Sequence, residues 1–156
     1  MSHEEYMRRA IALSREKMCA GEGGPFAAIV VKDGEVIGEG WNQVTSHNDP
    51  TAHAEIVAIR AACARIGDFS LEGAAIYTTC EPCPMCLAAV YWARVSALYY
   101  ANSTEDAAAI GFDDGVFYDE VCRAPAQRSL PHVRLLAEEA RAVFDEWAEW
   151  EGRVEY

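Results

Sequence analysis

Lysine is almost missing from this chain: Lys17 and Lys32 are the only two among 156 residues. Thirteen Lys plus Arg stand against twenty-five Asp plus Glu, a formal charge of −12. Proteins that grip nucleic acid draw much of their affinity from neutralising phosphates. No basic run is present to do so, and a small substrate is expected instead. Also missing is the run of ~18 apolar residues that marks a membrane-spanning helix. The opening MSHEEYMRRA lacks the basic-then-apolar pattern of a secretory leader, so a cytoplasmic location is expected. In that reducing compartment the six cysteines read as ligands or buried thiols rather than disulfides. Low-complexity linkers, repeats and composition breaks are absent as well, and the length suits one compact domain over residues 1–156.

The patterns that are present describe layers. Ser2 and Glu5 have the spacing of a capping box, and Met7, Ile11 and Met18 recur behind them at helical intervals. The loop GEGGPF leads into an apolar strand, AAIVV. Asp33-Gly34 is a favoured two-residue hairpin turn, returning through EVIGEGW. After the breaker Asn48-Asp49-Pro50, a helix is predicted to about Ile66. AAIYTT then reads as a strand, CEPCPMC as a loop, LAAVYWA as a helix, SALYYA as a strand and VRLL as a short last strand. In AEEARAVFDEWAEW, Val143, Phe144, Trp147 and Trp150 share one helical stripe, read as core or interface packing. Strands alternating with helices predict an α/β layered domain.

Chemistry concentrates in two places. PTAHAEIVAI sets His53 and Glu55 two residues apart inside an apolar run. Either His53 caps the helix end while Glu55 points to water, or both face a metal. Cys80, Cys83 and Cys86 in CEPCPMC supply the remaining candidates, with Pro84 suited to the first position of the following helix. Thiols beside a helix N-terminus are held more readily as thiolates, the form that ligates. A redox Cys-x-x-Cys pair is the competing reading, though the proline-rich turn is not a thioredoxin-like setting. Two zinc sites can be drawn: a closed one on His53, Cys80, Cys83 and Cys86, and an open one on His53, Cys83 and Cys86 with room for water. Glu55 favours the open site. A carboxylate close to the metal but off it is what proton transfer to and from bound water needs.

The combination His-x-Glu followed by Pro-Cys-x-x-Cys resembles the signature of the zinc nucleobase deaminases. It stands here as His53-Ala54-Glu55 and Pro82-Cys83-Pro84-Met85-Cys86. Further segments, GGPFAAIVVKDG, NDPTAHAE, CEPCPMC, YWAR, GFDD and the terminal EY, resemble the bacterial guanine deaminases of the cytidine deaminase-like fold. The tRNA adenosine deaminases share the zinc motif and the PFAA-type loop but resemble the chain less after about residue 104. Ala27 departs from the glycine that many relatives carry.

The resemblance implies a three-layer α/β/α sandwich around a central mixed five-stranded sheet. It also implies one zinc ion per chain on His53, Cys83 and Cys86. The reaction implied is hydrolysis of guanine to xanthine and ammonia by a zinc-activated hydroxide. Glu55 would shuttle protons to ring N3 and the departing 2-amino group. Asp114 would be a second acid, ahead of Asp113. Phe26 would stack on the purine, Asn42 would hydrogen-bond it, and Ala54 and Trp92 would complete the pocket. The family further implies a homodimer in which the helix and tail over about 137–156 exchange between subunits, Tyr156 closing the neighbour's site. Plainer readings compete: Phe26 and Trp92 as core aromatics, Asn42 as a strand end, Asp113-Asp114 as a solvated turn. His3, His47 and His132 read as surface residues, and Cys19, Cys63 and Cys122 as buried or inert thiols. Alternatives to guanine are guanosine, tRNA adenosine or a triazine, and the alternative to an enzyme is a structural zinc module.

Overall fold

A computed structural model describes all 156 residues, Met1–Tyr156. The chain forms two compact units, Met1–Tyr118 and Asp119–Tyr156.

The first unit is organised around β1 (Ala27–Lys32), which is buried on both faces because every residue from Ala27 to Val31 is apolar. It pairs antiparallel with β2 (Glu35–Trp41) on one side and β3 (Ala75–Cys80) on the other. β3 pairs parallel with β4 (Ala97–Asn102), giving a mixed sheet in the order β2-β1-β3-β4. Asp33 and Gly34 both take left-handed φ values, 52° and 79°, as a two-residue hairpin following a right-handed strand twist requires.

Alternation along β1 divides the core in two. Ile29 and Val31 meet Tyr6 and Ala10 of α1 (His3–Cys19), together with Tyr77. Ala28 and Val30 face the opposite way, onto Ala54, Ala58 and Ala62 of α3 (Ala54–Ile66) and Val90 of α4 (Pro84–Trp92). A short α2 (Val44–His47) precedes α3, and α5 (Thr104–Ala109) and α6 (Gly115–Cys122) follow β4. The unit is thus layered helix, sheet, helix. No helix is long and apolar enough to cross a membrane.

Two expectations need correction. The sheet has four strands, not five. VRLL forms none: Pro131 and the left-handed Leu136 confine it to four residues, and Val133, Leu135 and Leu136 are exposed. The helix expected behind Ser2 and Glu5 is present with its capping box, and it buries Tyr6, Ala10 and Ser14.

In the second unit a 3-10 turn over Pro125–Gln127 leads, through an irregular segment, to α7 (Ala137–Glu149). Val143, Phe144, Trp147 and Trp150 are all exposed on it, so the core reading of that stripe fails.

Candidate metal centre and active site

The site begins with two glycines that sequence reasoning passed over. Gly38 and Gly40 lie on β2 against α3; a Cβ at Gly40 would overlap the Ala54 carbonyl oxygen and the Ala58 amide. A Cβ at Gly38 would stand 2.5 Å from the Ala58 carbonyl oxygen. Gly-x-Gly on the strand and alanine every fourth residue on the helix therefore bring the two backbones into direct contact. This sets the first turn of α3 beside the C-terminal end of β3, where the metal loop starts. The paired spacings were the signal available in the sequence.

His53 is the N-cap of α3 in extended conformation, yet its side chain makes no capping bond. It turns to the cysteines instead. Cys83 is the N-cap of α4, Pro84 takes the first helical position as expected, and Cys86 is buried within the first turn. His53 Nδ1 lies 3.6 Å from Cys83 Sγ and 3.5 Å from Cys86 Sγ. Tetrahedral zinc with bonds of ~2.05 Å to nitrogen and ~2.3 Å to sulfur would hold such atoms about 3.6 Å apart. The donor atoms of the three residues all lie within 4.8 Å of one another, so His53, Cys83 and Cys86 fit a zinc ion in number, type and spacing. Cys80 is not among them. Its buried thiol donates to the Ser103 carbonyl at 3.7 Å, and burial, with the charge of Glu55, pushes its pKa up to about 11. The closed four-ligand site is not formed.

The Cys83 thiol is brought down to about 4, chiefly because Cys86 and then His53 donate to its sulfur. His53 is raised in turn, mainly by that bond to Cys83. The bond to Cys83 and burial push the Cys86 thiol up.

Glu55, one residue into α3 beyond Ala54, is only 6% exposed. It does not point to water. Burial raises its pKa, the neighbouring Cys83 charge adds to this, and its carboxyl hydrogen-bonds Cys86. A buried carboxyl thus stands against the metal group without belonging to it.

The remaining candidates occupy different environments. Asn42 is buried, its Oδ1 accepting from the Gly24 and Val44 amides at 3.3 Å each. Phe26 is partly buried against the α3 side of the core. It meets Phe112 edge-to-face at 4.9 Å, an aromatic that sequence reasoning did not single out although it adjoins Asp113. Asp113 Oδ1 accepts from the Gly115 amide at 3.0 Å, a turn-forming role. Asp114 is half-buried, and its pKa is raised by burial and then by Cys83 and Asp113. Ala54 is buried at the start of α3. Trp92, at the end of α4, is 61% exposed, and Tyr156 in the second unit is 73% exposed. His3, His47 and His132 are surface residues as expected, although His3 Nδ1 pairs with the Tyr77 hydroxyl at 2.7 Å. Cys19 and Cys122 are exposed and Cys63 is half-buried, so none of these three is a buried thiol.

A histidine and two cysteines at zinc spacing, with an unligated buried glutamate beside them on an α/β/α scaffold, define a zinc-dependent hydrolytic deaminase. Residues 1–102 match the cytidine and deoxycytidylate deaminase zinc-binding region, and the chain belongs to that family. It is 47% identical to guanine deaminase of Bacillus subtilis (strain 168) over 156 residues, all of both chains. The X-ray structure of guanine deaminase from Bacillus subtilis superposes with a TM-score of 0.97 at 47% identity, covering 100% of this chain and 99% of that one. Likeness to the tRNA-specific adenosine deaminase of Agrobacterium fabrum is more local, 42% over 98 residues, or 63% of this chain and 64% of that protein.

Proposed function

We propose that the protein hydrolyses guanine to xanthine and ammonia, with the zinc group and Glu55 at the reacting centre. The observation that carries this is the buried Glu55 carboxyl against an open three-ligand zinc group, in a chain alike over its full length to a guanine deaminase. Zinc, held by His53, Cys83 and Cys86, supplies a Lewis acid that makes water a nucleophile near neutral pH. The chain's own groups then move protons. Glu55 takes a proton from the attacking water, delivers it to ring N3, and assists the 2-amino group as it leaves as ammonia. Asp114 serves as the second acid for that departing amine. Its half-burial supports this, as does Asp113's engagement with the Gly115 amide. Phe26, braced by Phe112, offers a face for the purine, and Trp92 and Ala54 contribute to the pocket. Asn42, its oxygen committed to backbone amides, offers its Nδ2 as a donor.

The working form in this reading is a homodimer that exchanges the segment over about 137–156, Tyr156 closing the partner's site. What supports it is the exposed apolar stripe of α7, which a single chain leaves in water. Free cysteines and the acidic surface suit a cytoplasmic enzyme with a small substrate. Ammonia release measured across guanine, guanosine, adenine and cytosine tests the proposal: guanine should dominate. Preference for another member of that panel, or no release from any, overturns it.

A further inference from the structure

The segment that carries Asp114 is fastened to the metal loop at both ends by consecutive residues. At its start, the Thr104 amide donates to Glu81 Oε2 at 3.3 Å, while the Glu81 amide donates to the Asn102 carbonyl at 2.8 Å. At its end, the Tyr118 hydroxyl donates to the Pro82 carbonyl at 2.5 Å. Pro82 immediately precedes the ligand Cys83. Between these ties the segment has little burial to hold it: Ile110, Phe112, Val116 and Phe117 are all exposed.

Asp114 and Tyr118 are also rigidly connected to each other. The Asp114 carbonyl accepts from the Phe117 amide at 2.9 Å and the Tyr118 amide at 3.3 Å, so the two residues stand one helical turn apart. Wherever the phenol is anchored, Asp114 follows. Its phenolic oxygen is already donating to a backbone carbonyl, which suits an anchor better than a proton carrier.

We propose that Tyr118 is a positioning residue, whose bond to the Pro82 carbonyl sets where Asp114 stands relative to the Cys83 metal group. The inference rests on the reading above that Asp114 is the second acid. Misplacing a reacting group by about an ångström costs up to ~10²-fold in rate. Tyr118→Phe removes only the hydroxyl and keeps the ring.

Four proteins test this: wild type, Tyr118→Phe, Asp114→Ala and the double variant, each first checked for zinc content. Tyr118→Phe should lower kcat about tenfold or more with KM within roughly threefold. In the Asp114→Ala background the same change should matter by less than about twofold, because groups acting as one unit are not additive. Amide exchange over residues 112–118, measured on resting protein without substrate, should quicken in Tyr118→Phe. Equal losses in both backgrounds, wild-type kcat in Tyr118→Phe, or unchanged exchange would each overturn the proposal. An Asp114→Ala enzyme with wild-type kcat removes the second-acid reading instead, and the exchange rates then still show whether the phenol anchors the segment.

Discussion

His53 and Cys83 are each the N-cap of a different helix, and their donor atoms meet 3.6 Å apart across thirty residues of chain. Neither side chain caps its own helix. Both turn instead to the group that can hold a metal. A nearby helix N-terminus favours the ligating thiolate.

Metal analysis should find one zinc per chain. His53→Ala and Cys83→Ala should lose it, together with some fold stability, because metal binding and folding are coupled. Cys80→Ser should retain it, since that thiol bonds the Ser103 carbonyl outside the ligand group. A zinc-free Cys80→Ser protein would restore the closed, structural site.

Glu55→Ala should keep its zinc and lose activity by about 10²- to 10⁴-fold, the range of a general acid–base residue. Metal content and steady-state rates on the same preparation separate the two effects. Near-normal turnover would take Glu55 out of the mechanism.

Gly40→Ala tests the close approach of β2 and α3. The added methyl meets the Ala54 carbonyl oxygen and the Ala58 amide, both backbone atoms with no rotamer to move aside. Overpacking of this kind costs about 1–3 kcal/mol, and it should lower the melting temperature. Gly21→Ala is a useful contrast: it has open space around its Cβ, so its cost is limited to its positive φ of 75°. Equal stability of Gly40→Ala and wild type would show that the helix can shift without penalty.

Deleting Glu155 and Tyr156 should leave zinc content and melting behaviour nearly unchanged. Activity on guanine should fall at least about tenfold, or ~1.4 kcal/mol of transition-state stabilisation. A truncated enzyme with full activity and unchanged selectivity against guanosine would leave Tyr156 without a role.

Local pattern was enough to set much of this protein. β-branched and apolar runs between turn residues give four strands at their places, and Asp33-Gly34 is a hairpin because only certain residues accept left-handed φ. The group able to hold a metal was legible too, since a histidine and two cysteines at that spacing, with a glutamate beside them, serve few other chemistries. What failed was pattern that depends on a partner. VRLL has strand-like composition, but a strand exists only where a neighbour accepts its hydrogen bonds. The face buried by α3 was chosen by how closely its alanines and the glycines of β2 let the two backbones approach, a property of two elements together. Burial likewise separated Glu55 from an ordinary helix-start carboxylate, and Asp114 from Asp113. The Tyr118–Pro82 bond joins residues thirty-six positions apart, a distance over which no local periodicity carries information. Residue type decided which chemistry the chain could perform; contact between distant backbones decided which of those residues stand where the chemistry happens.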